Sequence, residues 1–209
     1  MTMMREKRRS NTLCLLLVLT ALLAMASGCS RTAPARFYLL SEVPAAELKA
    51  PAAGTGPCLT LGIGPVEMPD YLDRPQIVTQ VSPNELQLGD FDQWAEPLGK
   101  TVMRTLAENL ASLLCVDEMI FYPSESPRAD FQVAVTVTRF HGRPDGEVEL
   151  SAQWQVTQND GGKVAARKRT TIREPLDGDG YPALVAAQSK ALARLSREIG
   201  EALSAASTK

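Results

Sequence analysis

Four cysteines, one histidine and a charged, aromatic turn between prolines are where chemistry can be sought in this 209-residue chain. Cys29 closes the stretch Ala26-Ser27-Gly28-Cys29-Ser30. A thiol readily becomes a thioether, and three small residues before it leave the backbone open to a peptidase. Cys58 and Cys115 are separated by most of the central chain. An oxidising compartment would let them pair, and the chain-entropy model gives on the order of 4 kcal/mol for so long a loop. Two separate buried thiols are the alternative. His141 lies beside Gly142 in a stretch that reads as a hairpin turn, with no cysteine or acid at metal-ligand spacing. A general base needs an orienting partner and a nucleophile in reach, so His141 reads as an ordinary loop histidine.

The remaining short patterns are incomplete. Gly62-Ile63-Gly64 lacks the third glycine of a phosphate-binding fingerprint and reads as a strand distortion. Asp177-Gly178-Asp179-Gly180 lacks the later acidic ligands of a calcium loop and reads as a turn leading into a helix cap. No HExxH, paired CxxC or Gly-x-Ser-x-Gly occurs. Neither a catalytic residue nor a metal site is expected. The segment Pro69-Asp70-Tyr71-Leu72-Asp73-Arg74-Pro75 is different in kind. Aromatic, aliphatic and Arg side chains on a proline-fixed loop suit protein contact, which makes Tyr71, Leu72, Asp73 and Arg74 a candidate partner-binding turn. A loop folded over the core has the same composition.

The elements that must position these residues begin with a leader. Arg5, Lys7, Arg8 and Arg9 precede Leu13–Ala26, an uncharged run of 14 residues. That is short of the ~20 residues of a membrane-crossing helix, and it suits a removed secretory signal. With Cys29 it resembles a bacterial lipoprotein signal, apart from Ala26, where Leu is commoner. The resemblance implies cleavage after residue 28, lipid on Cys29 and a tether over 29–36. One acyl chain binds a bilayer marginally and two or more hold, so Cys29 would be a permanent anchor. By resemblance to lipoprotein sorting in Gram-negative bacteria, Ser30 in place of Asp implies the periplasmic face of the outer membrane.

Removing the leader leaves 181 residues and takes the formal charge from −2 to −5. That length suits one domain with a real core. An acidic balance argues against nucleic acid, which needs clustered Lys and Arg.

Periodicity then places the elements. Phe37–Leu40 and Leu59–Met68 read as strands, with 43–57 a loop between them. Ile77–Val81 and Glu85–Leu88 are short strands around Ser82-Pro83-Asn84. Gly89–Asp92 leads to a helix over Ala95–Leu114, on the spacing of Leu98, Val102, Leu106, Leu110 and Leu113. Met119–Tyr122 is a brief strand before the loop 123–127. Phe131–Thr138 and Val148–Val156 alternate as an antiparallel pair around a 141–146 turn. A second turn at 159–162 leads to a polar strand over 163–173, near an edge. Pro182–Ala205 carries Val185, Gln188, Leu192, Leu195, Ile199 and Leu203 along one face, a helix suited to packing on a sheet. The expected fold class is α/β: a single domain over 37–205, a mixed β-sheet packed with two main helices, and antiparallel hairpins in the C-terminal half.

Residues 66–80, Asn84-Glu85-Leu86 and Phe91–Leu98 resemble the PqiC-type lipoproteins, also described as ABC-type transport auxiliary lipoproteins. Phe37–Leu40, Phe140-x-Gly142, Trp154 and Gly180-Tyr181 support the resemblance. It implies a non-enzymatic, outer-membrane-anchored periplasmic subunit of an MCE-type intermembrane lipid transport or membrane-integrity system. Its partner would be an MCE-domain protein of the inner membrane and periplasm, and some members form homo-oligomeric rings. The covalent lipid on Cys29 would be its only prosthetic group. An auxiliary role in an MCE-linked ABC transporter is the alternative within that class; a lipid-binding carrier and an envelope hydrolase are alternatives outside it. Cys58 and Cys115 are not part of the family pattern.

Overall fold

A computed structural model describes residues 33–44, 47, 58–123, 129–142, 146–159 and 162–208. The expected signal over 1–28, Cys29 and the start of the tether lie outside the described residues, as do parts of the loops expected over 43–57, 123–127, 141–146 and 159–162. The chain divides into two units, Met1–Pro34 and Ala35–Lys209. The described residues of the second unit form a mixed eight-stranded sheet packed with two helices, α1 (Leu98–Leu113) and α2 (Gly180–Ser207).

Alternation of apolar and polar residues builds the longest strands. β6 (Phe131–Gly142) and β7 (Glu147–Gln158) pair antiparallel, from Phe131 opposite Gln158 to Gly142 opposite Val148. Val133, Val135, Val137, Leu150, Trp154 and Val156 are buried, while the intervening Gln, Thr and Glu side chains lie on the other face. β8 (Lys163–Pro175) pairs with β7 alone and forms an edge. Its five Lys and Arg residues discourage pairing with a foreign strand.

On the other side of β6 the sheet turns parallel: β2 (Leu59–Glu67) pairs with β6, and β5 (Val116–Phe121) pairs with β2. The β2–β6 register shifts between Ile63 and Val66. There Gly64 adopts φ +104°, and a Cβ on it would stand 2.7 Å from Tyr122 Cβ, so a side chain is excluded twice over. The far end of β6 carries a second branch. β3 (Gln76–Ser82) meets it at Thr79 opposite Gly142, pairs antiparallel with β4 (Glu85–Trp94), and β4 pairs parallel with β1 (Arg36–Tyr38).

β4 corrects the expected short strand and linker. Gly89–Asp92 belong to it, and its pairing jumps from Leu88 opposite Val78 to Gln93 opposite Gln76. The residues bulged out there break the two-residue period on which the shorter reading rested. His141 and Gly142 likewise end β6 rather than occupy a turn.

α1 (Leu98–Leu113) begins after Pro97, three residues later than its apolar period suggested. α2 (Gly180–Ser207) begins at Gly180, and Asp179 before it makes no side-chain cap hydrogen bond. Leu106, Leu110, Leu192, Leu195 and Ile199 belong to one core with the sheet's buried face. Buried polar residues on the helices serve the segment after β1. Thr105 Oγ1 donates to Leu40 O, Val43 N–H donates to Asn109 Oδ1, and Ser41 N–H donates to Ser189 Oγ. Those bonds tie residues 40–43, which run from the buried Leu40 to the exposed Ser41 and half-buried Val43, to both helices.

Candidate partner-docking surface

The turn Pro69–Pro75 joins β2 to β3 and is knitted by its own backbone. Leu72 N–H donates to Pro69 O at 2.9 Å, Asp73 N–H to Asp70 O at 3.2 Å, and Arg74 N–H to Leu72 O at 2.9 Å. Trp94 N–H donates to Pro75 O at 2.7 Å, fixing the turn to the end of β4. Prolines at both ends limit its backbone freedom further.

The structure separates the four candidate contact residues of this turn. Leu72 is 2% exposed and part of the core, which takes it out of the candidate set. A leucine between charged neighbours reads the same whether it points in or out. Tyr71 is half-buried and tilts against His141, with ring centroids 6.1 Å apart. Arg74 is also half-buried, and its Nε has no hydrogen-bond partner among the described residues. Of the four, Asp73 alone is exposed at the surface.

Asp73 and Pro97 border two open grooves. One, of about 350 Å³, is walled by Val66, Met68, Met103 and Tyr122, with Lys100 beside them. The other, of about 260 Å³, passes Arg74, Trp94 and Glu96. Thioethers adapt their shape to an incoming side chain, which suits the first groove to protein contact. In the second, a hydrogen bond from Arg104 at 2.7 Å holds the Glu96 carboxyl below its usual pKa, so a fixed negative charge lies there. Sequence reasoning missed the Met-lined groove, because Met68 and Met103 meet only when α1 packs beside the end of β2. Spacing within either element carries no sign of it.

Behind the turn lies a polar network that sequence reasoning also missed. Asp92 is 4% exposed and accepts from Tyr38 Oη at 2.8 Å and from both Arg36 Nε and Nη2 at 2.9 Å. Burial raises the Tyr38 and Tyr181 pKa values, and the hydrogen bond to Asp92 adds to the Tyr38 shift. Arg36 and Tyr38 come from β1 and Asp92 from β4, while Tyr181, in the first turn of α2, hydrogen-bonds Thr79 of β3. Their bonds form a clamp that holds β1 in place. Tyr38 and Tyr181 stand in segments that carry the family resemblance, so a marker was present, but pairing across 54 residues cannot be read from spacing.

His141 is 5% exposed in β6, and burial lowers its pKa, with Arg139 adding to the effect and Glu149 opposing it. At neutral pH the ring is uncharged. It packs against the Tyr71 ring, an arrangement that supplies neither an oriented base nor a nucleophile. Among the described residues no group of His, Cys, Asp and Glu is placed to hold a metal ion. Cys58 and Cys115 form a disulfide with Cα atoms 4.5 Å apart, tying the start of β2 to the start of β5. Among the described residues no helix is long and apolar enough to cross a membrane.

A family model described as the ABC-type transport auxiliary lipoprotein component matches residues 38–200. Over 94 residues the chain is 35% identical to the intermembrane transport lipoprotein PqiC of Escherichia coli strain K12, a match that takes in 45% of this chain and 49% of that protein. The protein of the same name from Shigella flexneri matches equally. The chain therefore spans about half the length of the curated relatives it matches. A crystal structure of an uncharacterized protein shares 25% identity and a TM-score of 0.63, over 82% of this chain and 99% of that one. A protein from Xanthomonas campestris shares the fold, with a TM-score of 0.68 at 17% identity, over 84% of this chain and 100% of its own.

Proposed function

Because the chain belongs to the ABC-type transport auxiliary lipoprotein component family, we propose that it is a non-enzymatic, lipid-anchored subunit of an intermembrane lipid transport system. The family match over residues 38–200 is the observation that carries this reading. The relatives' name, intermembrane transport lipoprotein, supplies the process.

In this reading Cys29 carries the covalent lipid and holds the domain at the periplasmic face of the outer membrane. The partner is an MCE-domain protein that reaches across the periplasm from the inner membrane. Asp73, Arg74 and the edge of Tyr71 present charge and an aromatic ring between the two grooves, and the partner's side chains enter those grooves. A rigid turn suits this role because less ordering entropy is lost on binding. Several copies arranged as a ring would present several such turns to one partner.

A second reading has a specific support. The family description names ABC-type transport, so the same surface would serve an MCE-linked ABC transporter. The two readings differ in the machine served and share the anchor and the docking turn.

The experiment is cross-linking in intact membranes followed by mass spectrometry, with wild type and Cys29→Ala compared. Wild type should float with outer-membrane vesicles and cross-link to an MCE-domain protein through residues near Asp73. Cys29→Ala should remain folded, leave the membrane fraction and fail to support membrane integrity. Full complementation by the soluble form would reduce the anchor to an address. Cross-links confined to the β8 edge would remove the turn from the interface.

A further inference from the structure

The direction of β1 bears on how the domain meets a membrane. β1 is parallel to β4, with Arg36 opposite Asp92, Phe37 opposite Gln93 and Tyr38 opposite Trp94. A chain entering β1 at Ala35 therefore arrives from the side on which β4 begins, the tip of the β3–β4 hairpin. Arg36 is clamped there by its paired bonds to Asp92, so the point of entry is fixed.

Chain length then sets how far an anchor can stand from that point. Seven residue steps separate Cys29 from Arg36. Fully extended, they span about 25 Å. β4 is bulged between Asp92 and Glu85, and β3 opposite it covers Gln76 to Ser82, the partners of Gln93 and Glu85, in six steps, about 20 Å along a regular strand. Fully extended, the tether thus passes the hairpin tip by less than about 10 Å. A lipid held by Cys29 keeps the hairpin tip close to the bilayer unless the β1–β4 edge tilts toward it.

Large apolar side chains are exposed at that end, as Leu39, Phe121, Tyr122 and Val164 are elsewhere. Val81, Leu86 and Leu88 flank the tip at 41%, 43% and 38% exposure. Phe91 and Phe37 are 38% and 63% exposed. Tyr38, Asp92 and Trp94 point into the domain, so alternation puts Phe37, Phe91 and Gln93 together on the outer face of the β1–β4 pair. The tip sequence Val81-Ser82-Pro83-Asn84-Glu85-Leu86-Gln87 contains no Lys or Arg. Attraction to anionic headgroups is absent there, and any seat on a bilayer is apolar.

We propose that the β3–β4 hairpin tip, with Val81, Leu86 and Leu88 and the adjoining Phe91 and Phe37, seats on the lipid surface that holds Cys29. The inference rests on the reading of Cys29 as the lipidated anchor. It gives the domain one orientation: hairpin tip on the bilayer, with the lipid entering beside it. Leu86 and Leu88 stand opposite Gln80 and Val78 on one face, and Phe37 and Phe91 on the outer face, so a tip lowered into a bilayer brings both sets to it. Exposed apolar side chains gathered at one end mark membrane or protein contacts, and the short tether selects the membrane.

The test uses the full-length lipidated protein in vesicles of phosphatidylethanolamine and phosphatidylglycerol. An environment-sensitive fluorophore is placed at Leu86→Cys and, as a reference, at Gln153→Cys on the outer face of β7. Flotation is measured first: protein that does not float shows that the anchor reading has failed. Given flotation, the probe at 86 should emit at shorter wavelength and be quenched by a lipid-borne quencher, unaltered by added salt, while the probe at 153 shows neither. Flotation without quenching at 86 overturns the seating and leaves the anchor intact. A blue shift at 86 that grows with protein concentration in the absence of lipid assigns the patch to a second copy and overturns the proposal equally. Leu86→Asp with Leu88→Asp, probed through Phe91→Cys, should float as wild type does and lose quenching; retained quenching counts against the proposal.

Discussion

The meander β6–β7–β8 and the β3–β4 hairpin are both antiparallel, yet they behave differently. The meander keeps its pairing from Phe131 to Gly142 and from Glu147 to Gln158 with one register shift on each side. The hairpin shifts twice within ten residues of β4, once at its tip and once at Gly89–Asp92. Regular pairing lets the meander bury one face under α2, and no buried side-chain polar atom among its described residues is left without a partner. Bulging divides the hairpin's side chains: Asp92 and Trp94 are buried, while Leu86, Leu88 and Phe91 are exposed. One region supplies a stiff platform, and the other aims side chains at partners.

The largest expected effect tests the platform. Trp154 is 4% exposed, and its Nε1 donates to Thr170 Oγ1 at 3.1 Å. Thr170 Oγ1 donates onward to Glu198 on α2 at 2.8 Å. Trp154→Ala should cost about 3–5 kcal/mol through the cavity left behind, read as a lower midpoint in urea unfolding. The buried Thr170 hydroxyl left short of a donor adds to that loss.

Leu72→Ala comes next and tests whether the irregular region is anchored to the platform. A buried leucine truncated to alanine costs about 2–5 kcal/mol, whereas a change in a free loop stays within about 0.5 kcal/mol. The same urea measurement separates the two outcomes. A shift at the low end would mean that the turn collapses into the cavity; no shift would mean that it does not pack as described.

These two residues also show where sequence reading reaches its limit. Trp154 stands in a strict apolar–polar alternation, so its strand, its face and its burial follow from the period alone. Leu72 stands among Pro, Asp, Tyr and Arg, where no period exists, and inward and outward readings are equally open. The β4 bulge fails for a related reason: the extra residues at Gly89–Asp92 erase the alternation that would have announced a strand. The helices were legible from their apolar stripes, but nothing in those stripes marks Thr105, Asn109 and Ser189 as buried. Their partners are backbone groups of residues 40–43, and that contact exists only after folding.

Asp92→Ala should have a smaller and more local effect, on the order of 1–3 kcal/mol for the Tyr38 hydroxyl left unpartnered. Hydrogen exchange should show β1 opening while β6 and β7 remain protected. Equal loss of protection in both would erase the distinction between hairpin branch and meander.

His141 lies where the two regions meet, and it makes the comparison depend on pH. Its folded pKa is lowered by burial, so between the folded value and the ordinary histidine value the unfolded chain binds more protons. Stability is therefore full above the ordinary value, about 6.5, and falls as pH drops through that value toward the folded one. The slope cannot exceed about 1.4 kcal/mol per pH unit for a single proton. His141→Gln should flatten the profile over that window. An unchanged slope over that window would show that His141 does not set it; Glu149, whose pKa is lowered chiefly by hydrogen bonding from Arg139, loses its contribution only below the ordinary carboxylate range.

Asp73→Lys should have the smallest effect on the fold and the clearest effect on function. Asp73 is exposed, and its backbone bond to Asp70 O survives the substitution. Stability should stay within about 0.5 kcal/mol. Charge reversal at a site bordering both grooves should nonetheless lower recovery of the cross-linked partner, because like charges across a contact cost affinity and slow association. Gln153→Lys, on the outer face of the meander, is the matched control. Equal recovery for the two variants would mean that the irregular region aims nothing at the partner, and loss for Gln153→Lys alone would place docking on the open face of the sheet. Loss for Asp73→Lys alone places the contact on the turn and leaves the meander as the platform that holds it.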